Sequence, residues 1–362
     1  MKKIVFARLL CMLPHAASFG FIAAIQVSGQ KVTMYEPCTI QCTLAVKASP
    51  RIAIRTFFLD NERSFLLVNP LNLKTSIQKA IDVRACSTSW TELRRQYVPD
   101  PYIKALMSAE TASSELQDAG ITHIYSLTHG IDLTADLCPS KRGLDRNFFS
   151  DLVKIIGKGT SPIPLAIAIT GVWMDEHPDD FCWLLNLVEN EEVDITWINH
   201  SYHHRTGKDP KLSRDFLLQE GTDINQEILR TEIALIEHGV MPSVFFRFPG
   251  LVSSDSLVKR IVSYGLIPVG SDAWLAKNQW PTDGSIVLVH ANGNEPIGIH
   301  RFFKLVQEEE PNINNRQWQL LDLRESIVET EKETYPEPIF ANPDSCEKET
   351  PAEEEADSVN NE

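Results

Sequence analysis

Two histidines four residues apart form the sharpest chemical pattern in the sequence. His200 and His204 stand in the segment Asn-His-Ser-Tyr-His-His. On one helical turn, side chains at this spacing lean to the same side and can share a single ion. Zinc accepts two imidazoles readily, and an open coordination position would hold a reactive water. The spacing therefore predicts a divalent metal site, with zinc as the best-suited ion and with His203 pointing elsewhere.

Short apolar runs indicate the strands that would position this pair. Such runs occupy residues 164–169, 195–198, 243–246 and 286–289, and residues 131–136 alternate apolar with polar side chains, which also predicts a strand. The run at 164–169 is continuously apolar, as expected of a parallel strand that is covered on both faces. Residues 224–238 between two of the runs have a helical pattern that is closed by Gly239. Strands that alternate with helices predict an α/β domain with a parallel sheet.

Polar residues follow several of these predicted strands at the point where each strand ends. They are Asp136, His200, Arg247 and His290. In an α/β barrel the carboxyl ends of the strands meet at one face, where the active site lies. We therefore expect these side chains to converge.

The segments that carry these residues resemble the polysaccharide deacetylases, the NodB-like carbohydrate esterase family 4. The H-S-x-x-H motif of that family is matched in full by His200, Ser201 and His204. Its R-x-P motif is matched at residues 247–249, and its L-x-H motif at residues 288–290. These matches occur in the family's order within residues 120–310.

Two further motifs of the family are matched only in part. Residues 134–138 stand in the place of T-F-D-D-G, and Asp272 and Trp274 approximate the Asp and Trp that line the family's groove. Residues 170–173 also look like a segment that the family places between its first two motifs. The resemblance implies an incomplete or distorted parallel (β/α) barrel over residues 106–324.

The resemblance also implies a role for each matched residue. A metal ion bound by the two histidines would activate water for attack on an acyl carbonyl. Asp136 would be the base, Arg247 would hold that carboxylate ionised, and His290 would protonate the departing amine. We expect Trp274, Asp272 and Tyr202 to contact the substrate.

One position departs from the family pattern. The second Asp of the first motif is a metal ligand in the family, and this chain has Leu137 there. Asp136, Asp132 or Cys138 could replace it. Asp132 shares a strand face with Asp136 but lies deeper along the strand, and the small Cys138 is expected to be a packed residue. Asp136 is therefore the expected third ligand, and restoring the carboxylate by Leu137→Asp is expected to tighten metal binding.

The negative charge of the chain is concentrated near its C-terminus. The net charge is −15, and residues 325–362 hold thirteen Asp and Glu against two Lys. This segment is predicted to be a disordered acidic tail. The remainder is nearly neutral without a dense basic patch, which argues against nucleic acid as a partner.

The N-terminal third contains two further predicted segments. Residues 1–29 have two lysines before a mostly apolar stretch, which predicts a signal peptide and export to the periplasm or exterior, without an integral membrane span in the mature chain. Residues 30–105 are predicted to be a strand-rich region, on the alternation at 51–55 and the apolar run at 64–68. This region could pack against the barrel or recognise a partner.

The sequence thus predicts an exported, metal-dependent hydrolase that removes N-acetyl or O-acetyl groups from a polysaccharide or oligosaccharide. Two alternatives remain open. The position of Leu137 is also compatible with a catalytically impaired protein that binds glycan on the same fold. Relatives of this fold cleave C–N bonds in small amides, so a non-sugar amide is a second alternative.

Overall fold

A computed structural model describes residues 29–44, 49–96, 100–112, 116–125, 128–157, 162–207 and 211–333. All but the last residue of the predicted signal peptide lies outside the described residues. Across the described ranges, no helix combines the length and apolar character needed to cross a membrane.

An antiparallel sheet of five strands forms the N-terminal region. Its order is β4-β3-β2-β1-β5, with β1 (Val32–Leu44), β2 (Pro50–Leu59), β3 (Glu62–Val68), β4 (Thr75–Lys79) and β5 (Val83–Ser87). Asp60 and Asn61 both have positive φ between β2 and β3, as a tight two-residue hairpin requires. The strands predicted at 51–55 and 64–68 are confirmed.

This sheet packs on the barrel rather than standing apart. Ile52, Ile54 and Phe57 on β2 are buried in one hydrophobic cluster with Val258 and Ile261 from a helix of the barrel. The first of the two alternatives for residues 30–105 therefore holds. Two helices lead from the sheet to the barrel, α1 (Trp90–Gln96) and α2 (Pro101–Thr111).

Parallel strands form the incomplete barrel that the sequence predicts. Their order is β10-β9-β8-β7-β6-β12-β11, and β13 pairs with the start of β6. The strands are β6 (Gly130–Leu137), β7 (Ile163–Ile169), β8 (Val193–Asn199), β9 (Phe245–Phe246), β10 (Ile267–Pro268), β11 (Ala273–Trp274), β12 (Ile286–His290) and β13 (Gln319–Leu320). The central strand β6 is buried along its whole length, as expected of a strand covered on both faces.

Helices connect the strands of the barrel and follow the last of them. They are α3 (Arg146–Ile156), α4 (Gly171–Glu176), α5 (Pro178–Glu189), α6 (Ile224–Glu237), α7 (Asp255–Ser263), α8 (Pro296–Glu308), α9 (Glu310–Asn314) and α10 (Leu323–Glu333). Short 3-10 helices lie at Ala80–Asp82, Leu212–Arg214, Phe216–Leu218, Pro249–Leu251 and Leu275–Lys277. The predicted helix at 224–238 is confirmed, and Gly239 follows it with φ of 77°, the left-handed conformation that ends helices.

The two faces of β6 carry different side chains. Leu133, Ala135 and Leu137 pack in a cluster with residues of the outer helices. The alternate residues Thr134 and Asp136 face the other way, toward Arg247. The two-residue period of a strand therefore separates the apolar face from the face that carries polar groups.

The predicted start of the acidic tail at residue 325 is wrong, because a helix continues to residue 333. Residues 325–333 belong to α10, in which Ile327 and Val328 are buried. Glu331 is buried as well, and Ser108 on α2 donates a hydrogen bond of 3.0 Å to it. The apolar residues at 327 and 328 supply the packing surface that acidic composition obscured. Residues 334–362 lie outside the described residues.

Candidate active site

A cleft at the carboxyl ends of the strands contains most of the predicted site residues. Asp136, His200, His204, Trp274 and His290 all line it, and its volume is about 500 Å³. That volume lies within the range of small-molecule sites. Convergence of these side chains therefore matches the expectation from the strand ends.

Arg247 lies behind the cleft wall and is fully buried against Asp136. Its Nη1 donates to Oδ1 of Asp136 at 2.8 Å and to the Thr134 hydroxyl at 2.6 Å. Burial alone would raise the pKa of Asp136, but the positive charge of Arg247 and the neighbouring imidazoles outweigh burial and lower it below the ordinary value. Asp136 is therefore an ionised carboxylate at neutral pH.

The His200–His204 segment is a loop and not the predicted helical turn. Residues 200–207 follow β8 without helical structure, and Ser201 and His204 have positive φ. The Ser201 hydroxyl accepts a hydrogen bond from the His204 backbone N–H at 3.1 Å. The two rings still meet, with centroids 4.9 Å apart. The prediction that they lie together holds, for a different structural reason.

A hydrogen bond fixes the tautomer of His200. Nδ1 of His200 lies 2.9 Å from the main-chain oxygen of Arg247. A carbonyl oxygen only accepts, so Nδ1 carries the proton and neutral His200 has its lone pair on Nε2. That lone pair points toward Cys138 and Asp136, whose Sγ and Oδ2 lie 3.5 Å and 3.6 Å from Nε2.

Glu227 on α6 positions the same loop and was not foreseen from the sequence. Its carboxylate accepts hydrogen bonds from the backbone N–H groups of Tyr202 and His203 at 3.1 Å and 2.9 Å. Nδ1 of His203 lies 2.8 Å from the same carboxylate. The one available signal was an acidic residue beside an apolar position of the predicted helix.

Cys138 completes a group of three possible metal ligands. Its Sγ and one ring nitrogen each of His200 and His204 all lie within 4.8 Å of one another, the one such group among the described residues. Nε2 of His204 is buried and has no hydrogen-bond partner, which an ion bound here would supply. Burial would raise the pKa of the Cys138 thiol, but the adjacent imidazoles lower it well below its usual range. The donor set therefore fits a divalent metal.

Asp136 and Asp132, which the sequence also offered as third metal ligands, are less well placed to bind the ion. Asp136 is outside the group of three donors, and its Oδ1 is bound to Arg247. Asp132 is buried deeper in the barrel, where the Ser326 hydroxyl of α10 donates to it at 3.3 Å. The expected third ligand, Asp136, is thus adjacent to the donor group without belonging to it.

His290 lines the same cleft, next to a carboxylate that the sequence did not reveal. Its Nδ1 lies 3.0 Å from Oε2 of Glu295, and the Trp274 indole N–H donates to the same oxygen at 2.8 Å. Burial would lower the pKa of His290, but Cys138, Glu295 and Asp136 together raise it to about 10. His290 is therefore protonated at neutral pH. Glu295 has φ of 46°, an unfavourable conformation of a kind that clusters at functional sites.

Two of the predicted substrate-binding residues do not line the cleft. Tyr202 is buried, and its hydroxyl donates to Asp175 at 2.5 Å while its ring packs against Gly171. Asp272 accepts from the Ile286 backbone N–H at the start of β12, the end opposite His290. These two predictions are corrected: Tyr202 anchors the histidine loop to α4, and Asp272 fastens β12. Trp274 does line the cleft.

Comparison with known proteins gives one family match and several structural neighbours. The family described as the RP012 protein N-terminal domain matches residues 44–98. A wild-type CE4 family pseudoenzyme from Bacillus anthracis is 14% identical, with a TM-score of 0.41 over 59% of this chain and 70% of that chain. A family 4 carbohydrate esterase from Bacillus anthracis is 17% identical, with a TM-score of 0.39 over 62% and 91%. The peptidoglycan deacetylase PdaC from Bacillus subtilis is 17% identical, with a TM-score of 0.39 over 57% and 93%.

Proposed function

We propose that this protein is an exported, metal-dependent hydrolase that removes acetyl groups from an N-acetylated or O-acetylated glycan. The observation that carries the proposal is the convergence of Asp136, His200, His204 and His290 on one cleft, with Arg247 bound to Asp136. The ordered motifs shared with the polysaccharide deacetylases support the choice of an acetylated glycan.

His200 and His204 would hold the metal, because the contact of Nδ1 of His200 with the Arg247 main-chain oxygen leaves its Nε2 as a donor, and the buried Nε2 of His204 has no hydrogen-bond partner. When bound, a divalent ion such as zinc would polarise the acetyl carbonyl and make the attacking water more acidic.

Asp136 serves as the base that takes a proton from the attacking water. The Arg247 guanidinium holds one of its oxygens at 2.8 Å and leaves Oδ2 directed toward His200. A carboxylate with a lowered pKa is a weak base, so it is effective here only because it is ionised and correctly positioned. Arg247 supplies both conditions.

His290 serves as the acid that protonates the departing amine or alkoxide. An amine leaves an amide only after protonation, so the acid must hold its proton at working pH. Glu295 and the surrounding negative groups keep His290 protonated. Trp274 donates to Glu295 and so places that carboxylate beside the ring of His290.

Apolar side chains in the cleft suit a sugar ring. Trp274, Phe216 and Leu251 line the same cavity as the charged groups. A pyranose has apolar C–H faces and polar edges, so it can stack on an aromatic ring while its acetamido group points toward the catalytic groups. A hydrophobic cleft with a few polar groups is typical of such sites.

The test measures metal content and acetate release with the same purified full-length chain. The substrates are chitooligosaccharides, peptidoglycan and an acetylated exopolysaccharide, each with and without a chelator. We expect acetate release that a chelator abolishes and zinc restores, with Asp136→Asn inactive and still metal-bound. Turnover that a chelator leaves unchanged would contradict the proposal.

The same experiment separates the two alternatives. Glycan binding without acetate release, in protein that holds no metal and stays inactive with added zinc, would identify a catalytically impaired binding protein. Ammonia or amine release from small cyclic or linear amides, with none from glycans, would identify an amide hydrolase.

A further inference from the structure

Cys138 lies where a metal bound by the two histidines would meet it. Its Sγ is 3.5 Å from Nε2 of His200, and the three donor atoms including that of His204 lie within 4.8 Å of one another. Cys138 is 7% exposed and carries a free thiol. The sequence favoured a packed small residue here, yet the thiol faces two imidazoles instead of the apolar core.

The backbone around Cys138 is fixed from two sides. The Asn292 side-chain amide, itself fully buried, donates to the main-chain oxygen of Cys138 at 2.6 Å. The Thr170 hydroxyl donates to the main-chain oxygen of Leu137 at 3.0 Å. These contacts hold the end of β6 against both neighbouring strand ends. Metal ligands in proteins are typically held in place by hydrogen bonds from surrounding groups in this way.

We propose that the Cys138 thiolate is the third protein ligand of the metal ion, completing a Cys-His-His site. This rests on the metal dependence proposed above and not on the identity of the substrate. Zinc binds cysteine and histidine together, and three protein ligands leave one position open for water. A cysteine thus takes the place that the family resemblance assigned to a carboxylate.

The strand geometry explains why the ligand is residue 138 and not residue 137. Leu137 is fully buried in the cluster formed by the outer helices, on the face of β6 opposite Asp136. The next residue again faces the cleft, because side chains alternate along a strand.

A thiolate ligand has consequences for the choice of metal and for the base. Thiolates favour zinc and cobalt over magnesium, calcium and manganese, which prefer oxygen ligands. With sulfur as the third ligand, Asp136 remains bound to Arg247 and is available to accept a proton. The proposal therefore removes the conflict that arises when one carboxylate must act as both ligand and base.

The test is cobalt titration of the metal-free, full-length protein under reducing conditions. Cobalt bound to a thiolate shows intense near-ultraviolet charge-transfer absorption, which carboxylate and imidazole ligands do not produce. We expect this band in the unaltered protein and its loss in Cys138→Ser, with zinc affinity weakened by more than about 10-fold. Cys138→Asp should bind cobalt without the band. Cys38→Ser, in the N-terminal sheet, is the matched control and should retain the band and the affinity.

Several outcomes would overturn the proposal. Cobalt binding without the band in the unaltered protein would exclude sulfur as a ligand, and a band that survives in folded Cys138→Ser would assign it to another cysteine. Failure to bind cobalt or zinc, with rapid alkylation of Cys138, would instead indicate a nucleophilic thiol. A band without acetate release from any glycan would contradict the deacetylase proposal and leave the ligand assignment intact.

Discussion

Arg247 holds His200 through its main chain and Asp136 through its side chain. The main-chain oxygen of Arg247 accepts from Nδ1 of His200 at 2.9 Å, and Nη1 donates to Oδ1 of Asp136 at 2.8 Å. The guanidinium is itself fixed by the main-chain oxygen of Gly270 at 2.8 Å. One buried residue therefore sets the separation between a proposed metal ligand and the proposed base.

The histidines of the cleft should separate into two functional classes. His200→Ala or His204→Ala should lose metal and activity together, because each removes one of three donor atoms. His290→Ala should keep its metal and lose most of its turnover, since general acid catalysis contributes about 10²–10⁴-fold. Metal content per chain and acetate release are the measurements. Loss of metal in His290→Ala would show that His290 is a ligand.

Glu295 should set the alkaline limit of activity. His290 is useful as an acid only while protonated, so activity is present below its pKa, which Glu295 helps to raise, and is lost as pH rises through that pKa. Glu295→Gln removes a negative charge beside Nδ1, which lowers the pKa of His290 and moves the alkaline limb of the pH–rate profile to lower pH. Asp272→Asn is the control and should leave the profile unchanged, because Asp272 binds at the opposite end of β12. If the alkaline limb of the pH–rate profile does not move in Glu295→Gln, Glu295 does not control the pKa of the catalytic acid.

The strands and the order of the motifs could be predicted because each of them is encoded by a short stretch of neighbouring residues. A buried parallel strand is recognisable as an apolar run, as at β7 and β12, and the residue after it must lie at the shared carboxyl edge. That reasoning placed Asp136, His290 and Arg247 together without knowledge of their contacts.

What the sequence did not reveal depends on tertiary contacts and on rare backbone conformations. Glu227 and Glu295 contact histidines that lie on other elements or beyond a turn. Ser201 and His204 adopt positive φ without being glycine, so nothing in their residue types marks a loop in place of a helical turn. Asp272 was expected in the cleft, but it precedes the two-residue strand β11 and therefore lies beside the start of β12.

Leu137→Asp should destabilise the protein instead of restoring a ligand. The structure reverses the expectation from the family pattern, because Leu137 is fully buried among the apolar side chains under the outer helices. An unpaired carboxylate there should cost more than about 4 kcal/mol of unfolding free energy. Leu137→Met is the control, with a cost below about 1.5 kcal/mol. Tighter zinc binding in a stable Leu137→Asp protein would mean that residue 137 can face the cleft.

Asp132 should make the protein less stable as pH rises. Burial raises the pKa of Asp132 well above its ordinary value, and its Oδ2 has no hydrogen-bond partner. The unfolded chain loses this proton near pH 3.9, whereas the folded chain keeps it to higher pH. Stability therefore falls between those two pKa values. Asp132→Asn should raise the melting temperature near pH 7 and leave it nearly unchanged near pH 4. An equal effect at both pH values would rule out this ionisation as the cause.

A buried ion pair joins the N-terminal sheet to the barrel. Nε and Nη2 of Arg55 on β2 donate to the two oxygens of Glu232 on α6 at 2.7 Å and 2.8 Å, and both side chains are buried. The Tyr35 hydroxyl donates to the same carboxylate at 2.9 Å.

Removing one partner of this pair should be far more damaging than removing both. Glu232→Ala leaves the Arg55 charge buried without a counter-charge, which should cost about 3–5 kcal/mol in urea unfolding. Replacing both residues with apolar side chains of similar volume should recover much of that loss. Glu62→Ala is the matched control, because its pair with Lys79 is roughly half exposed and should contribute about 0–1 kcal/mol. A cost for Glu232→Ala no larger than that of the control would mean that apolar packing alone attaches the sheet.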